Sequence, residues 1–500
     1  MGGAPSLKIA GMKDYTRPRT PVQPSIGKCI DQSGSKLEAP RHPSGVLHPS
    51  GVLKESWLEQ LDARVPRYTS YPTAPHFHGG VTAATVNSWL ERTDLSEPLS
   101  LYVHVPFCAK LCWYCGCNTS ITKTYAPVKP YLETLLAELQ LVVERLPGRA
   151  TLSHLHFGGG TPSLLSPDDF HRVMAVLRRH FDFSKRAEIS IEIDPRGFTA
   201  SRAKAYGEEG VTRASIGVQD FDAQVQKAIH RIQSYEIVAK TFDGLRHHGV
   251  MPINVDLIYG LPCQTEDTIR ASVEATVRLE ADRVALFGYA HVPWMKKYQK
   301  ALERHGLPDA KARMNLATAA RNALEKHFVP IGLDHFAVKS DPMAIAARTR
   351  TLHRNFQGYT TDRATTLIAI GPSAISATGW GYAQNESDPA RWAQSVEEGR
   401  LPVHRGLVLS ADDLLRREVI EKLMCDLTVD LEAIAHHHGV DPALFLDDLD
   451  RLEPLQREGM VEVKGWSVTI PDDARIAMRT VASVFDAWLL SGKGRHAAAV

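Results

Sequence analysis

Four of the seven cysteines in this 500-residue chain lie within the stretch FCAKLCWYCGCNTS, as Cys108, Cys112, Cys115 and Cys117. Thiolates at that density are soft, anionic donors, suited to a soft metal ion or to an iron–sulfur cluster. Structural zinc is ordinarily held by two short cysteine pairs set far apart, each forming one knuckle of a tetrahedron. No distant pair exists here, because Cys29, Cys263 and Cys425 are isolated from one another. A single loop with the C-x3-C-x2-C spacing can instead wrap one corner of a [4Fe-4S] cubane, whose usual complement is four cysteines. Three such ligands leave the fourth iron open to another group.

The remaining composition describes an ordinary globular setting. With 43% hydrophobic and 23% charged residues, the chain can bury a large core and divide into one main domain with smaller additions. Its 58 basic and 57 acidic residues give a net charge of +1, so no global field draws nucleic acid or an anionic membrane, and neither is expected as a partner. An anionic ligand has to be met by local charge. No run approaches the ~20 apolar residues of a membrane span, and the first residues, MGGAPSLKIAGMKDYTRPRT, lack the apolar stretch of a secretory signal. The expected compartment is the cytoplasm, and an odd cysteine count there argues against a disulfide framework.

A cluster loop needs rigid elements on either side. The loop follows LYVHVPF, an alternating run that reads as a strand, and precedes the amphipathic helix pattern YLETLLAELQLVVERL. A reactive loop just past a strand's C-terminal end is where barrel enzymes keep their chemistry. The pattern repeats: LSHLHF, EISIEI, ASIGV, INVDLIY and VALFGY are separated by helical segments such as DDFHRVMAVLRRHF and DTIRASVEATVRLE. Six strands alternating with helices predict an α/β fold with a parallel sheet, short of a full eight-fold barrel.

Distinctive residues recur at the ends of these strands. GGGTP, Gly158 to Pro162, follows the second, where glycines allow the backbone to approach a ligand and Pro162 fixes the next turn. Glu192 follows the third strand, Gln219 the fourth, Asp256 lies on the fifth itself and Ala290 stands near the sixth. A lone acid or amide at such a place is more often a cap or a solvated group. Recurrence at successive strand ends argues for one shared site.

CAKLCWYC resembles the C-x3-C-x-aromatic-C signature of radical S-adenosylmethionine enzymes, with Tyr114 as the aromatic residue. The resemblance implies an open six-stranded partial (β/α)6 TIM-like barrel, iron ligation by Cys108, Cys112 and Cys115, and S-adenosylmethionine on the open iron. A closer resemblance covers residues 58 to 490. PRYTSYPTAPHF, CWYCGCN, LHFGGGTP, VDLIYGLP, LHRNFQGYTT and GPSAISATGWGYAQN together resemble the oxygen-independent coproporphyrinogen III oxidase (dehydrogenase) family. That family converts coproporphyrinogen III into protoporphyrinogen IX in haem biosynthesis, using one [4Fe-4S] cluster and two S-adenosylmethionine molecules. Two propionates each lose a β-hydrogen, to a 5′-deoxyadenosyl radical, and then carbon dioxide; an electron donor of flavodoxin or ferredoxin type and an unidentified acceptor are implied.

Carried over by position, the resemblance implies that Tyr102, Gly159, Glu192 and Ile375 meet the first S-adenosylmethionine. Tyr114, Gly160, Thr161, Gln219, Arg231, Asp256 and Ala290 would meet the second. Glu192 and Arg231 join the three ligand cysteines as catalytic candidates: the acid can accept from ammonium or ribose groups, and the guanidinium can fork onto a carboxylate. Cys117, typical of these oxidases, is by analogy not an iron ligand. Two other functions stay open, a haem-chaperone-like paralogue that binds haem without turnover and a radical S-adenosylmethionine methyltransferase.

A tetracarboxylate substrate needs cations, and ARTRTLHRNFQGY gathers Arg348, Arg350, His353 and Arg354; of these, His353 and Arg354 are the expected propionate contacts. Residues 1–57, with the duplication HPSGVLHPSGVL, read as an irregular extension, 58–400 as the catalytic domain and 401–500 as a helical, winged-helix-like domain. That last domain is expected to hold a hairpin turning at Lys464 and Gly465 and one long final helix. From 410 onward it carries 17 acidic against 10 basic residues, the wrong balance for gripping phosphates. His436, His437 and His438 read as a helix end favoured by the dipole, since consecutive helical residues point about 100° apart. A monomer is expected.

Overall fold

Strict alternation along the strands decides the architecture. In the computed structural model, which describes residues 55–61 and 64–490, all six expected strands form: β1 (Leu99–Val105), β2 (Thr151–Gly159), β3 (Asp182–Ile193), β4 (Arg213–Gln219), β5 (Ile253–Tyr259) and β6 (Arg283–Gly288). They run parallel in that order. One face of each is apolar and fully covered by helices: Leu101, Val103 and Val105; Leu155 and Phe157; Ile189, Ile191 and Ile193; Ile216 and Val218; Val255 and Leu257; Val284 and Leu286. The residues between them, among them Ser100, His156, Ser190, Glu192, Ser215, Asn254 and Asp256, line a polar cavity of about 160 Å³ on the concave side. Parallel strands are usually apolar on both faces. The alternation here therefore marks an interior kept open for polar chemistry.

The sheet extends beyond the six strands and does not close. A seventh strand, β7 (Leu367–Ile370), pairs parallel with β1, placing Ser100 opposite Leu367. Antiparallel strands β8 (Ile375–Ala377), β9 (Gly381–Asn385) and β10 (Val403–Val408) continue that edge, while 335–337 and 329–331 continue the other, making twelve in all. β10 carries the sheet past residue 400, so the boundary expected there falls inside a shared sheet. The duplicated HPSGVL segment and nearly all of the expected 1–57 extension lie outside the described residues.

After the sheet come helices Ala411–Asp426, Leu431–His437 and Leu446–Arg457, and a small antiparallel sheet of 428–430, 467–469 and 462–464. The hairpin turns at Gly465 and Trp466 rather than Lys464, because Gly465 takes the left-handed backbone conformation that the turn requires (φ +60°). The expected long final helix is broken into Asp472–Ala477, Met478–Ser483 and Ala487–Leu490. Asp486 causes the last break, since its Oδ1 accepts from the backbone N–H groups of Trp488 and Leu489.

One buried carboxylate ties these parts to the cluster loop. Glu138, on the helix Val128–Val143 that leaves the loop, accepts hydrogen bonds from Gly371 N (2.8 Å), Trp392 Nε1 (2.8 Å) and Asn385 Nδ2 (2.6 Å), with no cation beside it. Tyr131, on the same helix, donates to the His104 carbonyl at the end of β1. Burial raises Glu138 from 4.5 to about 7, the three donors offsetting only part of the cost. A carboxyl whose folded pKa exceeds its unfolded one binds a proton on folding between those values. Stability should therefore fall as pH rises from 4.5 to 7 and be flat above, by on the order of 3 kcal/mol from this group. Glu138→Gln is expected to remove that portion of the slope. Denaturant titrations of both proteins across that range check it, and parallel curves would refute it.

Candidate active site

The loop after β1 is fixed at both ends. Ser120 N donates to Pro106 O (2.6 Å) and Thr122 N to Cys108 O (2.9 Å), folding 106–122 back on itself. His230 Nδ1 lies 2.7 Å from Leu111 O, and its ring stacks on Trp113 with centroids 5.2 Å apart. From the far side Tyr298 Oη donates to Cys115 O (2.7 Å) and Lys296 Nζ to Cys117 O (2.8 Å). Gln299, which is fully buried, spans from Tyr114 O (3.0 Å) to Ala290 O (3.3 Å).

Each of the three candidate ligand sulfurs has its own hydrogen-bond partner. Thr161 Oγ1 lies 3.2 Å from Cys108 Sγ. Arg196 Nη2 and Arg231 Nη1 each donate to Cys112 Sγ at 3.4 Å. The exposed Cys117 shares a thiol hydrogen bond with Cys115, which lowers the pKa of Cys115 and raises that of Cys117. Burial pushes the Cys108 thiol up to about 11, so its proton leaves when a metal takes its place. Donors aimed at thiolate sulfur take up part of its charge and orient it. Between the arginines sits Asp194; burial opposes its ionisation, but Arg231 and then Arg196 outweigh this and bring it down to about 2.

The GGG turn packs directly on this loop. A β-carbon at Gly160 would lie 2.7 Å from the backbone of Pro106, and one at Gly159, where φ is +115°, 2.7 Å from the His104 ring. Both positions require glycine. Glu192 Oε2 accepts from Gly159 N (3.2 Å), its Oε1 lies 3.2 Å from His156 Nε2, and the His156 ring stacks on Tyr102 at 5.7 Å. Tyr102 Oη in turn meets His104 Nδ1 at 3.0 Å.

Beyond the next strand Asp256 accepts from Asn254 Nδ2 (2.7 Å) and from Ser215 Oγ (3.1 and 3.2 Å), Ser215 standing in register with Glu192. Burial first, and the charge of Glu192 second, raise it to about 6. Arg231 is buried, donates to the Gly217 carbonyl, and keeps a buried Nε with no protein partner. Gln219 ends β4 at φ +75°, a left-handed conformation costly for a residue with a side chain, and its amide is held close over Gly217.

Most of the expected site residues converge on the cluster loop and the cavity. Tyr114 and Ala290 meet through Gln299, whereas Ile375 sits on β8 among Phe77, Tyr382 and Leu407. His353 and Arg354 have other partners. His353 pairs with Glu421 (3.1 Å). Arg354 gives Nε and Nη2 to the carbonyls of Tyr68 and Arg67 (both 3.1 Å) and stacks over Tyr359 (4.3 Å), leaving only Nη1 unpartnered. Its neighbours Asn355 and Gln357 line the cavity and it does not, while Arg348 and Arg350 are exposed. The sequence reading also missed His104, His156, Asp194, Arg196 and Gln299. For His156 a signal existed, since it shares the inward parity of Gly158 on its strand.

A loop of three supported thiols beyond the first strand of an open parallel sheet, with two carboxylates lining the cavity of that sheet, defines a radical S-adenosylmethionine enzyme. The family model described as "Radical SAM superfamily" matches residues 102–275, and that of the "HemN C-terminal domain" matches 409–475. The chain belongs to the oxygen-independent coproporphyrinogen III oxidase family. It is 46% identical to the enzyme of that name from Bradyrhizobium diazoefficiens, over 88% of this chain and 98% of the relative, and 44% identical to "coproporphyrinogen III oxidase, anaerobic 1" of Cereibacter sphaeroides, over 85% and 95%. The solved coproporphyrinogen III oxidase (HemN) of Escherichia coli superposes with a TM-score of 0.81 at 35% identity, over 85% of this chain and all of that one.

Proposed function

We propose that this chain carries out the anaerobic oxidative decarboxylation of two propionates of coproporphyrinogen III to vinyl groups, yielding protoporphyrinogen IX. The observation that carries it is the match to the E. coli oxidase over 85% of this chain and all of that one, with Glu192 and Asp256 lining the cavity and the thiol loop packed on the glycine turn that Glu192 holds. The chain's residues fit the cofactors of the family. Cys108, Cys112 and Cys115 would hold a [4Fe-4S] cluster, the glycine turn lets β2 pack closely on the loop that carries them, and the unpartnered Nε of Arg231 offers a buried donor to an anionic group. Bound together, the cluster supplies an electron and S-adenosylmethionine the 5′-deoxyadenosyl radical that takes hydrogen from an unactivated carbon.

The protein's own share is placement. Glu192, fixed by Gly159 N and His156, presents a carboxylate to ammonium or ribose donors, and Tyr102 offers a stiff ring face. Asp256 presents a second carboxylate from β5, with β4 between the two. Arg231 receives a carboxylate while also steadying Cys112, and Arg196, itself held by Asp194, donates to the same sulfur. The arginines and two of the histidines lining the cavity already have carboxylate partners: Arg213 with Glu188 (2.7 Å), Arg283 with Asp341 (2.7 Å), His335 with Asp334 (2.7 Å) and His154 with Asp362 (3.0 Å). Substrate propionates therefore gain little from these without breaking a pair, and groups at the rim are the better candidates.

Among the described residues no helix is long and apolar enough to cross a membrane. A cytoplasmic monomer, reduced by a flavodoxin- or ferredoxin-like donor, is the setting proposed with this activity. Anaerobic incubation of the reconstituted protein with coproporphyrinogen III, S-adenosylmethionine and dithionite should give the divinyl product, with carbon dioxide and 5′-deoxyadenosine released together. Tight haem binding without turnover, or a methylated product, would overturn the reading; the oxidase names of the relatives favour neither alternative.

A further inference from the structure

Two histidines far in sequence from the cluster loop converge on one acid. Helix Ala411–Asp426 carries Glu418, and helix Leu431–His437, which packs against it, ends in His437 with His438 as its cap. His438 lies outside the regular helix (φ −88°, ψ 1°), so the angular spacing of consecutive helical residues does not separate its ring from that of His437. His437 Nδ1 is 3.3 Å and His438 Nε2 2.9 Å from the same oxygen, Glu418 Oε2. All three atoms lie within 4.8 Å of one another, the one such group of three His, Cys, Asp or Glu ligand atoms among the described residues. His436, the third histidine of the run, takes no part in it.

We propose that Glu418, His437 and His438 form a surface site for a divalent transition-metal cation of the zinc type, separate from the cluster site. Two imidazole nitrogens and one carboxylate oxygen are a donor set such cations take readily. Around an ion with bonds of about 2.0 to 2.1 Å, tetrahedral ligand atoms stand about 3.3 Å apart, close to both separations from Glu418 Oε2. Little rearrangement is needed: the two ring nitrogens give up their contact with the carboxylate and all three turn to the ion. The His437 side chain is 72% exposed, which leaves the fourth position to water and gives the ion a route in. Bound metal would join the two helices through side chains from each.

The test uses the full chain with its cluster reconstituted, so that the cluster-loop thiols do not compete. Zn²⁺ alone is titrated anaerobically by calorimetry, and Co²⁺ is followed by its d–d absorption. Wild type and His436→Ala should bind one equivalent at this site. His438→Ala, His437→Ala and Glu418→Gln should weaken it by tenfold or more, with unchanged circular dichroism and cluster content. Equal binding by all five proteins, or no binding by wild type, would overturn the proposal.

Discussion

Serine in place of Cys108, Cys112 or Cys115 is expected to abolish both the brown cluster absorption after anaerobic reconstitution and all turnover, whereas Cys117→Ser keeps the cluster. The three proposed ligand positions lie in one loop pinned at both ends, and each sulfur has a separate partner in Thr161, the Arg196 and Arg231 pair, or Cys117. A serine hydroxyl is a hard, weakly acidic donor that does not replace a terminal thiolate on iron. Cys117 stands differently. It is exposed and its thiol faces Cys115, so it acts as a hydrogen-bond partner to a ligand, and serine preserves a donor there. Cys117→Ala should keep iron and sulfide content but move the cluster's midpoint potential to more negative values, because one fewer hydrogen bond leaves more charge on the sulfur. Iron and sulfide analysis with an EPR-monitored redox titration separates these outcomes. Loss of iron on changing Cys117 alone would show that it is a ligand.

The contrast between these cysteines and the arginines behind them shows what one chain of letters exposes. The cluster loop is local: three thiols within eight residues must lie near one another whatever else the fold does. The strands are legible for a related reason, since a two-residue period forces Leu101, Val103 and Val105 to one face and Ser100 and Tyr102 to the other. The same period explains where Arg354 points. Charge density along ARTRTLHRN suggested a propionate site, but the segment 353–355 is a strand, and alternation sends Arg354 away from the cavity that Asn355 lines. Gln299 and Arg196 were invisible because their partners are long-range: a loop after β6 reaches back to Tyr114, and a turn after β3 reaches Cys112. The seventh strand was missed because LIAI is only four residues long and gains its place by pairing with β1. The run His436 to His438 does end a helix as expected, and because His438 is the cap its ring meets Glu418 beside that of His437.

Replacing Asp256 by alanine is expected to leave the cluster intact while taking S-adenosylmethionine stoichiometry from two towards one, with product formation falling alongside. Asp256 lies two strands from Glu192, held by Asn254 of its own strand and by Ser215 of the neighbouring β4, and no hydrogen bond connects it to the three thiols. Its removal therefore tests the second cofactor site without disturbing the first. A charge-assisted hydrogen bond contributes about 1.5 to 3 kcal/mol, so losing one should weaken that site roughly 10- to 150-fold. Titration provides an internal check. Burial and the nearby Glu192 put Asp256 at about 6, so it is ionised at pH 7 and takes up a proton as the pH falls through 6. Wild type should accordingly lose affinity for the second equivalent as the pH is lowered from 7 to 5, whereas Asp256→Asn, weaker throughout, should show no such decline. Equilibrium dialysis of labelled S-adenosylmethionine against the reconstituted proteins at each pH measures both effects. If Asp256→Ala still binds two equivalents with wild-type affinity, the second cofactor rests on other residues, and the wall formed by Ser215, Asn254 and Asp256 belongs to the substrate instead.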